Sequence, residues 1–135
     1  VARTPLNFGF LSGTIDRDTQ FESWDHRSRW PKEQVNKWVD GAEMLLGCMD
    51  VKQLQSKAQF AMRFCLSFLE VSTVIPGMMT EAEVLENIHV SELGPLTKIE
   101  LESLERVYLE NNSFADKTSI QSVRSVDPGK ISLKQ

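Results

Sequence analysis

The sequence predicts an α/β fold in which helical residues outnumber strand residues. Residues 72–75, STVI, are short and β-branched, and Pro76 with Gly77 ends this candidate strand. Thr80, followed three residues later by Glu83, forms a capping box, which predicts that a helix begins there. Strand, short turn and helix in this order make half of a β/α repeat. Because parallel strands need neighbours, we expect further strands beside this one.

The length and the composition predict one domain followed by a tail. A chain of 135 residues is long enough to enclose a hydrophobic core. We predict that residues 1–110 form this domain. From Asn111 onward the sequence is rich in serine and lysine and shows no sustained hydrophobic period. An extended or disordered tail is therefore predicted over residues 111–135.

Charge and hydropathy argue against several classes of ligand. The net charge of -4 is spread along the chain without a basic run, so nucleic acid is not an expected partner. No apolar stretch approaches the roughly 20 residues that a membrane-spanning helix needs, and no signal-peptide pattern opens the chain. We expect no membrane partner and a cytoplasmic location. Cys48 and Cys65 show no zinc-binding spacing, so no metal site is predicted.

The N-terminal third predicts a strand and two loops. Residues 1–6, VARTPL, look like the middle or end of a strand. A glycine-containing loop follows at residues 7–14, NFGFLSGT. The polar and aromatic segment at residues 15–30, IDRDTQFESWDHRSRW, is long for a connection in a compact domain. Loops of this length commonly bind ligands or cover a site, so we predict a functional loop here.

Four helices are predicted from capping residues and from apolar residues at helical spacing. Pro31 suits the first turn of the first helix. Capping boxes at Ser56 with Gln59 and at Thr97 with Glu100 open the second and fourth helices. The predicted apolar stripes of the first two helices are Val35, Trp38, Val39, Ala42, Leu45, Leu46 and Met49, and then Ala58, Ala61, Met62, Cys65, Leu66 and Leu69 with a second stripe of Phe60, Phe64 and Phe68. Those of the last two helices are Val84, Leu85 and Ile88, and then Ile99, Leu101, Leu104, Val107 and Tyr108.

Several segments of this sequence resemble the C-terminal part of aldo-keto reductases. They are TPLNFGFLSG, DHRSRW, FAMRFCLSFLEVSTVIPGMMTEAEVLEN and SELGPLT, in the family's order and separation. The most specific piece is RFCLS followed by VSTVIPG and LEN. The resemblance covers Val1 to about Tyr108 and implies a (β/α)8 TIM barrel, with residues 1–6 on the seventh strand and residues 72–75 on the eighth. It identifies the chain as the mostly helical C-terminal portion of such a barrel.

The resemblance also implies a nicotinamide dinucleotide cofactor, NADP(H) or alternatively NAD(H), and a small carbonyl substrate. The residue chemistry fits, because Gly9 and Gly13 would let backbone amides approach an anion closely. The helix that begins at Thr80 would offer amides and a positive dipole end. The implied cofactor residues are Leu6, Gly9, Leu11 and Gly13 on the pyrophosphate side, Arg27 and Arg29 in the long loop, and Gly77, Met79, Glu83, Glu86 and Asn87 on the adenosine side.

Met79 and Glu83 depart from the residues that the family usually has at these positions. A carboxylate beside the 2'-phosphate of NADP(H) would repel it. The capping role of Glu83, in contrast, needs no cofactor. The two roles of Glu83, and with them the preference between NADP(H) and NAD(H), stay open at the level of sequence.

No catalytic residue is expected in this chain. The resemblance implies an Asp, Tyr, Lys and His set on earlier strands of the barrel, and Tyr108, His26 and His89 match none of its positions. The leading hypothesis is the cofactor-binding C-terminal portion of an NAD(P)H-dependent oxidoreductase that reduces aldehydes or ketones to alcohols. The alternative is a non-enzymatic binding or regulatory module with the same fold, so whether the protein is an enzyme stays open.

Overall fold

A computed structural model describes residues 1–50 and 54–111 of the chain. The predicted tail at residues 111–135 therefore lies outside the described residues from 112 onward. The described part is mostly helical and contains a two-stranded sheet. The strands are β1 (Ala2–Arg3) and β2 (Val74–Ile75), and the helices are α1 (Lys32–Leu46), α2 (Lys57–Leu66), α3 (Glu81–Leu93) and α4 (Lys98–Glu110). Two 3-10 segments span Asn7–Ser12 and His26–Arg29.

The two strands pair in parallel but are shorter than predicted. Ala2 lies opposite Val74 and Arg3 lies opposite Ile75. The first strand ends before Leu6 because Thr4 has a φ of 55°, outside the extended region, and the Asn7 N–H donates to the Thr4 carbonyl at 3.0 Å to close a turn. Since β1 offers only this short edge, pairing of the second strand is confined to its last two residues.

Capping boxes begin three of the helices, as predicted. In α2 the Ser56 hydroxyl accepts a hydrogen bond from the Gln59 N–H at 3.1 Å, and Gln59 Oε1 accepts from the Ser56 N–H at 2.9 Å. The same reciprocal pair opens α3 at Thr80 and α4 at Thr97. Pro31 is the N-cap of α1 rather than its first helical residue, with a ψ of 138°.

Helix α2 lies at the centre of the fold. Every residue from Ala58 to Arg63 is buried, which confirms that this helix is covered on most sides. It ends at Leu66, so Leu69 lies beyond it and is exposed. Three apolar clusters surround the centre: Phe10 with Val35, Val39 and Ala42; Leu46 with Phe60, Leu96 and Leu104; and Ala58 with Met62 and Val90.

The predicted apolar stripe of α3 is not buried in the described structure. Val84 is 37% exposed, Leu85 63% and Ile88 62%. The buried residue of α3 is Val90, which packs with α2, and the Gln59 Nε2 donates to the Glu86 carbonyl at 3.0 Å across the same contact. The face of α3 that packs against α2 is therefore not the face that carries its apolar stripe.

Candidate cofactor site

The glycine loop, residues 6–13, has a backbone that bends twice through the left-handed region. Phe8 has a φ of 56° and Gly9 a φ of 98° within the 3-10 segment, and Gly13 ends that segment with a φ of 75°. The N–H groups of Gly9 and Leu11 both donate to the Leu6 carbonyl, at 3.0 and 3.1 Å. These bonds fix a compact loop directly after β1.

Apolar side chains attach the glycine loop to the core. Phe10 is 1% exposed and packs with Val35 and Val39 of α1. Leu6 packs against the cluster of Ala58, Met62 and Val90, and Leu11 contacts the other two apolar clusters. The side chains of Leu6 and Leu11 are therefore committed to packing, and the Leu11 N–H and the Leu6 carbonyl are committed to their hydrogen bond.

Two basic side chains from elsewhere in the chain lie against the loop glycines. The Arg27 Nη1 lies 3.2 Å from the position that a Cβ on Gly9 would take. The Lys57 Nζ lies 3.0 Å from the corresponding position on Gly13, and the Lys57 Cδ lies 2.2 Å from it. The absence of a side chain at these glycines is what admits both cations to the loop.

Arg27 is held in place mainly by Asp25. Its Nε lies 3.0 Å from both carboxylate oxygens, its Nη2 donates to Oδ2 at 2.6 Å, and its Nη1 donates to the Phe8 carbonyl at 2.9 Å. The guanidinium also lies 4.7 Å from the centre of the Phe21 ring. Hydrogen bonds from the Arg27 side chain and backbone lower the pKa of Asp25 to about 2. Arg27 therefore ties the long loop to the glycine loop.

The rest of the long loop contacts the glycine loop through aromatic rings. The Trp30 ring makes edge contacts with Phe8 and Trp38, with ring centroids 5.4 and 4.8 Å apart. The His26 ring stands perpendicular to Trp30 at 5.4 Å. Arg29 lies at the end of the second 3-10 segment and is exposed. The segment at residues 15–30 is thus packed against the glycine loop by its rings.

The Glu83 side chain accepts hydrogen bonds from the two backbone amides just before α3. Its Oε2 accepts from the Met79 N–H at 2.6 Å and from the Thr80 N–H at 2.9 Å. These two backbone bonds are the main reason that the pKa of Glu83 is lowered from its ordinary value. A ligand phosphate that approached these amides would meet a carboxylate already bound to them.

The remaining residues of the adenosine-side group differ in their packing. Met79 is 93% exposed, and no heavy atom lies within 4 Å of where a Cβ on Gly77 would be. Glu86 receives the Gln59 hydrogen bond at its carbonyl. The Asn87 side-chain nitrogen is buried and has no hydrogen-bond partner among residues 1–50 and 54–111, so it is an unsatisfied donor in this part of the chain.

Parallel pairing places the two groups of residues at one edge of the sheet. The glycine loop follows the carboxyl end of β1, and residues 77–87 follow the carboxyl end of β2. In parallel sheets this is the edge beyond which ligands bind. Arg27 and Gly9 lie together within the first group, whereas in the second group the Met79 side chain is exposed and a Cβ on Gly77 would meet open space.

Sequence reasoning missed Lys57 and Asp25 as residues of this site. Lys57 is 44 positions from Gly13, and no sequence spacing links the two. The capping box at Ser56 does fix Lys57 as the first residue of α2, but not which loop it faces. Asp25 had a weaker signal, because an Asp two residues before an Arg can pair with it locally.

Two kinds of feature are absent from the described residues. Within residues 1–50 and 54–111, no three His, Cys, Asp or Glu side chains are grouped so that they could hold a metal ion. No helix in the same part of the chain is both long and apolar enough to cross a membrane.

Gly13→Ala should lower the free energy of unfolding by about 1 to 2 kcal/mol, because an L-residue is strained in the left-handed region. The added Cβ would also displace the Lys57 stem, which lies 2.2 Å from its position. Urea denaturation measures the change. Gly77→Ala is the matched control, since open space surrounds Gly77 and its effect should stay within about 0.5 kcal/mol. Equal effects of the two substitutions would contradict this account of the loop.

The comparisons with known proteins give one family. The model of the aldo/keto reductase family matches residues 1–109. No curated protein and no solved structure matches the chain significantly. The matched range takes in the glycine loop, the residues at the start of α3 and all four helices except the last residue of α4. The chain therefore belongs to the aldo/keto reductase family.

Proposed function

We propose that this chain is the cofactor-binding C-terminal portion of an NAD(P)H-dependent oxidoreductase that reduces aldehydes or ketones to alcohols. The family match supports an oxidoreductase, and NAD(P)H is the cofactor that this family generally uses. The observation that carries the proposal is the parallel register of β1 and β2, because it brings the glycine loop and the start of α3 to one edge of the sheet. A dinucleotide needs such an edge, with one group of residues for its pyrophosphate and another for its adenosine.

In this proposal β1 and β2 are the seventh and eighth strands of a (β/α)8 barrel, the fold that the family implies. The loops after these two strands commonly build the phosphate site of such barrels. The described chain supports this placement by its connection, since two helices, α1 and α2, separate the paired parallel strands. A cytoplasmic location is retained as a prediction.

The residues present fit a dinucleotide on both sides. On the pyrophosphate side, the missing side chains of Gly9 and Gly13 leave room beside the backbone for the Arg27 guanidinium and the Lys57 side chain. On the adenosine side, the buried side-chain nitrogen of Asn87 is a hydrogen-bond donor without an acceptor among the described residues. Leu6 and Leu11 would act by anchoring the glycine loop to the core. The other residues around the cofactor would be Gly77, Met79, Glu86 and Arg29. The cofactor, when bound, supplies the hydride for carbonyl reduction.

Titration of NADPH and of NADH into the polypeptide that carries this chain tests the proposal. Trp30 lies against the glycine loop through Phe8, so binding should change tryptophan fluorescence. We expect saturable binding of at least one of the two dinucleotides. Absence of saturable binding of both, in a sample whose folding is verified by circular dichroism, would contradict the proposed function.

Glu83 is proposed to weaken the binding of NADPH relative to NADH. Its carboxylate holds the Met79 and Thr80 amides at the point where a 2'-phosphate would approach α3. Glu83→Gln retains an acceptor for these amides and removes the charge. The ratio of NADPH affinity to NADH affinity should rise roughly fivefold, which corresponds to about 1 kcal/mol of binding free energy.

Glu81→Gln is the matched control for this substitution. Glu81 is in the first turn of the same helix and is exposed, but Thr80 caps the helix with Glu83 and not with Glu81. Its removal should leave the affinity ratio within about twofold of the parent value. An unchanged ratio in Glu83→Gln would assign this carboxylate to helix capping alone.

A further inference from the structure

Arg27 and Lys57, the two basic side chains at the glycine loop, differ in how many of their N–H donors form hydrogen bonds. Arg27 is bound through Nε, Nη1 and Nη2 to Asp25 and to the Phe8 carbonyl, and its side chain is 28% exposed. The Lys57 side chain has no hydrogen-bond or ion-pair partner among residues 1–50 and 54–111. Lys57 is also exposed. In this part of the chain, Lys57 is therefore the cation at the loop whose donors remain available.

The backbone of Lys57 is positioned by the start of α2, while its ammonium group is unpaired within the described part of the chain. Lys57 is the first residue of α2, and the capping box between Ser56 and Gln59 sets the direction in which that helix begins. The stem of the side chain crosses Gly13, with Cδ 2.2 Å and Cε 3.2 Å from where a Cβ would lie. The methylene groups of Lys57 thus lie along Gly13, and the ammonium group lies at the glycine loop.

We propose that Lys57 is a cofactor-binding residue whose ammonium group contacts the pyrophosphate of the dinucleotide at the glycine loop. The inference rests on the proposed function and adds a residue to it. An ammonium group at the glycine loop without a partner among the described residues is suited to a ligand that carries two negative charges, because each charge-assisted contact is stronger than a neutral one. The contact does not involve the 2'-phosphate, so it serves NADPH and NADH alike.

A purely structural role for Lys57 would be to cover Gly13 with its methylene groups. Lys57→Met separates this role from the proposed one, because methionine keeps an unbranched stem of similar length and removes the charge. Lys57→Arg keeps a charge at the end of a long stem. Lys98→Met is the matched control, since Lys98 is likewise the first helical residue after a capping box, at the start of α4.

The experiment titrates NADPH and NADH into the parent protein and the three variants at low and at physiological salt, with thermal unfolding recorded for each. We expect Lys57→Met to weaken both dinucleotides by the same factor, roughly fivefold at low salt and less at higher salt. Lys57→Arg should restore affinity to within about twofold, and Lys98→Met should leave it unchanged. The unfolding temperature of Lys57→Met should equal that of the parent.

Two results would overturn the inference while leaving the proposed function intact. The first is affinity for both dinucleotides in Lys57→Met that equals the parent value. The second is a loss confined to NADPH, which would assign Lys57 to the 2'-phosphate. If instead the parent protein binds neither dinucleotide, the proposed function and this inference fall together. Lys57→Gln supplies a second neutral side chain if Lys57→Met proves unstable.

Discussion

Phe10→Ala is expected to lower the free energy of unfolding by about 3 to 4 kcal/mol, as for other fully buried aromatic residues that are truncated in a core. Phe10 is 1% exposed and packs with Val35, Val39 and Ala42. Its ring centroid lies 5.5 Å from that of Trp38. Truncation removes this contact area and leaves a cavity beneath the glycine loop. Because the loop is anchored through this side chain, binding of a dinucleotide should be lost with it.

Phe8→Ala is the matched control in the same loop. Phe8 is 48% exposed, and its ring meets Trp30 and His26 only by edge contacts. Its truncation should cost about 1 kcal/mol or less. Urea denaturation of both variants measures the difference. If Phe10→Ala were as stable as Phe8→Ala, the glycine loop would not be anchored to α1 in the way described.

Arg63→Met is expected to destabilise the fold by about 3 kcal/mol, since it removes the hydrogen bonds of a buried guanidinium group and leaves their acceptors without donors. Arg63 is 3% exposed. Its Nε donates to the Gly94 carbonyl at 2.8 Å, and its Nη2 donates to the Pro95 carbonyl at 2.7 Å. A third bond joins Nη1 to Gln55 Oε1. The bonds to Gly94 and Pro95 hold the turn between α3 and α4 against α2.

Arg106→Met provides the comparison for Arg63. Arg106 lies on α4 and is exposed, so its replacement by methionine should change the free energy of unfolding by no more than about 0.5 kcal/mol. Guanidinium chloride denaturation of both variants gives the difference. A loss below 1 kcal/mol in Arg63→Met would show that the bonds to the α3–α4 turn contribute little to the native state.

The helix starts could be predicted from the sequence because their signals are local. A capping box involves residues three positions apart, so Thr80 with Glu83 needed no knowledge of the rest of the fold. The burial of α3 could not be predicted in the same way. Which face of a helix is covered depends on its neighbours, and α2 meets α3 at Val90 rather than at Leu85 or Ile88.

The candidate site was predicted only in part for a similar reason. Glycine is the residue type that most readily adopts a positive φ, so Gly9 and Gly13 could be predicted to do so, and both have positive φ. The left-handed conformation of Phe8 had no such signal, because Phe8 lies within the turn that the Gly9 N–H closes on the Leu6 carbonyl. The contact of Lys57 with Gly13 joins distant segments and follows from the packing of α2 beside the glycine loop.

Hydrogen-deuterium exchange with and without saturating dinucleotide, on the polypeptide that carries this chain, tests the central claim most directly. We expect slower exchange of backbone amides in residues 6–13 and in residues 77–87 when NADPH or NADH is bound, and no change in α4. Titration in the same samples establishes saturation. Unchanged exchange in both segments at saturation would contradict the claim that this chain forms the cofactor site.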